Sequence, residues 1–237
     1  MPPPAVVLAA TATGLGAAVA IARGNLIAGA LLLQLKTVLD NADGQLARAS
    51  GRVSVLGRYL DSESDLLVNA ALFAALGFLT EEPWLALAGF AALTLVLSVD
   101  FNLERLYRRE QGDEVDPMPP GHGAGALLAA VYLLVYAPHD RLIERFVDWR
   151  LRRFGADGRA RRAYHDRSTL AVLANLGLST QLAVLGLCLA LGRPVAYAWY
   201  ALACGASVVL LSLRRELLAR RAGRLARHTS KSVYAET

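Results

Sequence analysis

Most of this chain consists of apolar runs long enough to cross a bilayer, and that feature limits what it can fold into more than any other. The runs Ala5 to Ile21, Leu26 to Leu46, Tyr59 to Leu79, Trp84 to Leu106, Leu170 to Leu191 and Val195 to Leu213 each approach the roughly 20 residues a helix needs to traverse the hydrocarbon. Within lipid a backbone must satisfy its own N–H and C=O groups, so helices are expected in all six. With 55% apolar and only 19% charged residues in 237, little chain is left for a large soluble catalytic module. Any chemistry is expected among the helices or at their ends, in one membrane domain over residues 1–237. The first run carries neither a basic leader nor a credible small-residue cleavage site, so it reads as a retained span rather than a signal peptide. Cys188 and Cys204 both lie in apolar runs, where packing is the expected role rather than a disulfide or a metal site.

Charge sets the orientation. The net charge of +5 is concentrated in three places: Arg105, Arg108 and Arg109; nine arginines between His139 and Arg167; and a tail after Leu213 with Arg214, Arg215, Arg220, Arg221, Arg224, Arg227 and Lys231. A seventh apolar run, Ala124 to Ala137, is shorter. If it crossed, two of these clusters would be stranded opposite the first, against the basic excess of cytoplasmic loops. The expectation is therefore an all-α polytopic bundle of six transmembrane helices with both termini in the cytoplasm. The outer turns then hold only Arg23, the pair Glu81 and Glu82, and Arg193. The stretch around Pro117, Pro119 and Pro120 reads as a cytoplasmic loop. It opens an insertion over about 110–167, in which Ala124 to Phe154 reads as a membrane-surface helix broken near Pro138. No aromatic interleaving or nucleic-acid motif accompanies the arginines, so the basic faces are read as setting topology and touching anionic lipid, with no nucleic-acid partner.

Against this background four aspartates stand out. Acids are expensive within spans and those present usually face a bundle interior or a water-filled cavity, yet Asp40 and Asp43 end the second run and Asp61 and Asp65 begin the third. Helical periodicity places Asp40, Asp43, Gly44 and Ala47 on one face, and Asp61 and Asp65 one turn apart with Gly57 a turn earlier. Helices joined by a short loop are expected to be antiparallel neighbours, which would let the carboxylates converge. Four such groups repel unless a cation lies between them. A hard divalent ion is the economical partner, since Mg²⁺ and its relatives take oxygen ligands and bridge carboxylates to phosphates. Gly44, Ala47 and Gly57 would let a ligand approach the helix backbone, and Arg48 offers a fixed cation to a phosphate.

These residues carry a resemblance to the CDP-alcohol phosphatidyltransferases, an integral-membrane family with the signature D-x2-D-G-x2-A-R-x8-G-x3-D-x3-D. The segment DNADGQLARASGRVSVLGRYLDSESD, from Asp40 to Asp65, has every fixed position: Asp40, Asp43, Gly44, Ala47, Arg48, Gly57, Asp61 and Asp65. Eight positions at about 5% each match by chance on the order of 10⁻¹⁰ per starting point. The family's Pro-Asn pair near the first span is absent; MPPPAVVLAATAT has Pro4, Thr11 and Thr13 but no Asn. The resemblance implies displacement of CMP from a CDP-linked alcohol, CDP-diacylglycerol as the leading donor, by the hydroxyl of an acceptor alcohol in phospholipid synthesis. Asp40, Asp43, Asp61 and Asp65 would bind Mg²⁺ or Mn²⁺, with Asp65 also the general base. Gly44, Ala47, Arg48 and Gly57 would hold the CDP moiety, and membrane lipid supplies one substrate. It further implies a site facing the cytoplasm from the inner membrane, and a homodimer.

The same signature serves a reversed polarity, in which a soluble CDP-alcohol transfers its phospho-group to a lipid acceptor. A metal-ion transporter using the acids as a relay belongs to another class, and the gathering of the acids at one end of the spans argues against it. Outside the signature, Asn69 continues the stripe from Asp65, and Asp100, Asn102 and Glu104 beside Arg105 read as helix-end ion pairs. Tyr164, His165, Asp166, Asn175 and Gln181 could line an acceptor cavity, with His165 read as an exposed interfacial histidine. A phosphorylated acceptor would want Arg105, Arg108, Arg109 or members of the cluster from Arg141 to Arg167.

Overall fold

The computed structural model describes residues 3–49, 55–112, 124–153 and 158–235. Among them every regular element is a helix: α1 (Pro3–Ala22), α2 (Leu26–Ala49), α3 (Val55–Thr80), α4 (Pro83–Gln111), α5 (Ala124–Arg153), α6 (Gly158–Tyr164), α7 (Arg167–Ala174), α8 (Leu178–Ala190) and α9 (Pro194–Ala235). Five stretches are long and apolar enough to cross a membrane: Ala5–Ala22, Leu60–Thr80, Pro83–Gln111, Ala160–Ala190 and Pro194–Arg224. The all-α polytopic bundle is as the sequence predicts. The sixth expected span, α2, has 24 residues, about 36 Å of helix, but from its middle onward it carries Lys36, Asp40 and Asp43.

Three tight turns fall where the outer loops are expected. Gly24, at φ 76°, closes α1, with Asn25 N–H donating to Ala20 O at 2.9 Å. The Asn25 side chain then caps α2 by accepting from Ala28 N–H at 3.2 Å, as short polar residues do at helix starts. Glu81, at φ 56°, turns α3 into α4, whose first residue is Pro83. Gly192, at φ 66°, ends α8 before Pro194 opens α9.

The core falls into two adjoining clusters. One joins Ala17 and Ile21 of α1, Leu33 of α2, Val68 and Leu72 of α3, Leu93 of α4, Leu185 of α8 and Tyr197 of α9. The other joins Val96 and Leu103 of α4, Val147 and Leu151 of α5, Tyr164 of α6, Leu173 of α7 and Val208 of α9. Small residues permit the close approaches that membrane helices favour; a Cβ on Gly205 of α9 would lie 3.0 Å from Ala92 Cβ of α4.

Four expectations change. First, α2 and α3 are not neighbours along their length: α1 packs against both, and no comparable contact joins α2 to α3 among the described residues. Second, α5 runs unbroken through Pro138. A proline removes one backbone hydrogen bond, and the docking of the following turns holds the helix together: Asn102 Nδ2 of α4 donates to Asp140 Oδ1 at 2.7 Å and Arg105 to Glu144 Oε1 at 2.9 Å. Leu142, Phe146 and Trp149 stay exposed on its other face, an apolar stripe suited to the membrane boundary. Third, the expected span Leu170 to Leu191 is two helices, parted at Asn175 to Gly177, where Gln181 Nε2 donates to Leu176 O at 3.2 Å and satisfies part of the interrupted backbone. Fourth, the basic tail continues α9, which reaches 42 residues, about 63 Å and twice the hydrocarbon thickness. The expected loop at Pro117 to Pro120 lies outside the described residues.

Candidate active site

The signature occupies the ends of α2 and α3 away from the tight turns. Asp40 is 14 residues beyond Leu26 and Asp65 is 15 before Thr80, so each stands about 21–23 Å from its turn. Equal depth on antiparallel helices sets the two carboxylates facing across the gap that α1 keeps between α2 and α3.

That gap is spanned by a residue the sequence reading passed over. Lys36 lies one turn before Asp40, and its side chain is 1% exposed. Its Nζ donates to Asp40 Oδ2 and, across the gap, to Asp65 Oδ1 at 2.8 Å. The two carboxylates are 23% and 27% exposed, which leaves each reachable from outside while the ammonium is sealed. The lysine stem is accommodated by α1: a Cβ on Gly14 would lie 3.1 Å from Lys36 Cδ and 2.6 Å from Val68 Cγ1. A signal was available in the sequence, since a lysine within an apolar run is as costly as an aspartate and at i, i+4 spacing its partner is the next turn.

The other signature residues are placed less completely. Gly44 is half-buried on α2, and Asp61 is exposed on α3 one turn before Asp65. Gly57 stands in the first turn of α3. The side chains of Asp43, Ala47 and Arg48 lie outside the described residues, although their backbone is helical. Asp40 and Asp65 are thus the pair shown to converge, on an ammonium. Among the described residues no three of His, Cys, Asp and Glu are gathered to metal-ligand distance. The donor set still fits a hard divalent ion: two carboxylates from separate helices are already turned onto one cationic centre, and oxygen is the ligand Mg²⁺ and Mn²⁺ prefer.

Away from the signature, several polar residues do other work than the sequence suggests. His165 is buried, not exposed, because Arg215 of α9 lies over it: Nε donates to Tyr164 O at 2.7 Å, the guanidinium sits 4.1 Å from the Tyr164 ring centroid, and its terminal nitrogen is 3.4 Å from His165 Nδ1. Asp166 caps α7, accepting from Thr169 N–H at 3.0 Å and from Arg214 at 3.0 Å, so it supports the chain rather than lining a cavity. Asn175 donates to Ala171 O at 2.7 Å within its own turn, and Asn69 is buried. Glu104 pairs with Arg108 as expected of a helix end. Asn102, by contrast, is fully buried, and with Arg105 it ties α4 to α5. Cys188 and Cys204 are both free thiols, in keeping with a packing role.

The signature lies within a region that this chain shares with known proteins. Residues 3–150 match the CDP-alcohol phosphatidyltransferase family. The chain is 43% identical over 77 residues to a bifunctional IPC transferase and DIPP synthase of Thermococcus kodakarensis, covering 32% of this chain and 18% of that protein. It is 37% identical over 78 residues to the protein of the same name from Aquifex aeolicus, again 32% and 18%. Against the archaetidylinositol phosphate synthase of Aeropyrum pernix it is 31% identical over 110 residues, 46% of this chain and 56% of that one. The chain therefore spans about half or less of the length of these curated relatives. No solved structure matches it significantly. The match covers well over half of the chain and includes the complete signature on α2 and α3, and the protein belongs to the CDP-alcohol phosphatidyltransferase family.

Proposed function

We propose that this integral membrane protein transfers a substituted phosphate from a CDP-linked lipid alcohol to the hydroxyl of a phosphorylated polyol, releasing CMP. The observation that carries the reading is the convergence of Asp40 and Asp65, from two separate helices, on one cationic centre within a complete family signature. The acceptor class is taken from the similarity to an archaetidylinositol phosphate synthase.

Asp40, Asp43, Asp61 and Asp65 would hold Mg²⁺ or Mn²⁺, and such an ion, when bound, neutralises charge on the diphosphate and on the departing CMP. Gly44, Ala47 and Gly57 would leave the helix backbones open to the CDP moiety, with Arg48 pairing a phosphate oxygen. Asp65 would take the acceptor hydroxyl proton as the new oxygen–phosphorus bond forms and the bond to the CMP oxygen breaks. CMP leaves with the electron pair of that bond. The site would face the cytoplasm, where a phosphorylated polyol is at hand and lipid enters between helices.

Release of CMP by the purified protein, with Mn²⁺ and a panel of CDP-linked donors and acceptor alcohols, tests the reading. Turnover with CDP-diacylglycerol or a CDP-linked ether lipid together with an inositol phosphate supports it. Turnover only with a soluble CDP-alcohol and a lipid acceptor would reverse the polarity. Cation flux through proteoliposomes without CMP release would replace the transferase by a transporter.

A further inference from the structure

Lysines near helix ends usually run their stems along apolar surface and lift the ammonium to water. Lys36 does the opposite. Its side chain is 1% exposed, its Cδ fills the space left by Gly14 of α1, and its Nζ ends between Asp40 and Asp65. Burying an ammonium is costly unless its charge is matched and its protons are accepted, and here both carboxylates do so from different helices. Since α1 packs against both α2 and α3, the lysine links carboxylates on two helices that have little other contact with one another.

The same oxygens are those a divalent ion would ligate. An ammonium and a divalent ion are both positive, and in a low-dielectric setting their mutual repulsion is poorly screened. We propose that Lys36 is the built-in counter-ion of the transfer site: in the metal-free protein it holds Asp40 and Asp65 together, and a divalent cation entering the site competes with it for their oxygens. This rests on the metal-binding reading of the aspartates given above. The arrangement keeps the site assembled while empty. It also keeps one Asp65 oxygen engaged in the metal-free protein.

The test is Mn²⁺ binding and thermal melting of the full chain in detergent, comparing wild type with Lys36→Met, which keeps the stem and removes the charge, and Lys36→Arg, which keeps the charge. In chelator, Lys36→Met is expected to melt below wild type, because two facing carboxylates lose their shared cation. Saturating Mn²⁺ should raise its midpoint by more than it raises wild type. Its Mn²⁺ affinity should be tighter by on the order of tenfold, the factor recovered when a competing state populated about nine-tenths of the time is removed. Lys36→Arg should follow wild type in chelator. Equal or weaker Mn²⁺ affinity in Lys36→Met, against a wild type that binds, overturns the lysine's role and leaves the metal reading standing. Failure of wild type to bind Mn²⁺ overturns both. A Lys36→Met protein that folds only with Mn²⁺ supports the proposal, and one that Mn²⁺ does not restore refutes it, since the lysine would then be doing something a metal ion cannot replace.

Discussion

Gly14 is a point at which α1 meets side chains of both α2 and α3, Lys36 and Val68, and a double-mutant cycle at this position isolates the packing of α1 on α3. Gly14→Ala places a methyl carbon 2.6 Å from Val68 Cγ1, 3.0 Å from Val68 Cγ2 and 3.1 Å from Lys36 Cδ. Val68 is fully buried and β-branched, with one strongly preferred rotamer on a helix, so it cannot turn aside. Relief must come from movement of α1 against α3, and overpacking of this kind costs about 1–3 kcal/mol. Alanine in a helix interior is favoured over glycine by about 0.8–1 kcal/mol, so the single variant shows only the difference of the two terms. The propensity gain is the same whichever residue stands at position 68, and it cancels in the cycle. Val68→Ala alone should cost about 2 kcal/mol for two buried methyls and the space they leave. In that background the Gly14 methyl finds room, so the double variant should be more stable than the sum of the singles by about 1–3 kcal/mol. Melting in detergent reads the stability and CMP release reads the site. Additivity within about 0.5 kcal/mol would show that α1 does not press on α3 here.

Two further outcomes follow from the placement of single side chains. Asp65→Asn should still bind CDP-linked donor while failing at transfer, whereas Asp40→Asn should lose metal-dependent donor binding; equal loss in both, measured as donor affinity, would remove the distinction between base and ligand. Asn102→Leu should destabilise the protein by about 2–3 kcal/mol and loosen α5 on α4, because Asn102 donates to Asp140 and to Ser98 O and accepts from Arg105. Protease sensitivity at α5 unchanged from wild type would contradict that anchoring.

The parts of this fold that the sequence foretells are those settled within a few residues. The turns at Gly24, Glu81 and Gly192 are marked by adjoining Asn25, Pro83 and Pro194, and helix length follows from the apolar runs between them. The signature is legible for the same reason: helical spacing alone puts Asp40 and Gly44 on one face. What escapes is fixed by packing between distant segments. The separation of α2 from α3 depends on a third helix whose Gly14 admits both neighbours. The burial of His165 depends on Arg215, 50 residues away, and the survival of α5 through Pro138 depends on Asn102 and Arg105 of α4. Lys36 belongs to both groups, since its pairing with Asp40 is local and its pairing with Asp65 is not.

The ion pairs also bear on how an acceptor phosphate would be held, where the sequence leaves too many arginines to choose among. The further a matched guanidinium is withdrawn from solvent, the more it costs to take its carboxylate away, whereas an exposed pair is worth about 0–1 kcal/mol and is readily exchanged. Arg105 is 20% exposed and pairs with Glu144 at 2.9 Å while also serving Asn102. Arg150, 21% exposed, pairs with Glu216, which is 8% exposed. Both are committed to holding α5 against its neighbours. Arg109 is 59% exposed and reaches the same Glu144 at 3.5 Å, and Arg108 is 58% exposed on Glu104. Recruitment by a phosphate is thus cheapest at Arg108 and Arg109 among these four. The less exposed pairs then have a different use: they tie α5 to α4 and α9, and the exposed arginines at the end of α4 are left for exchange.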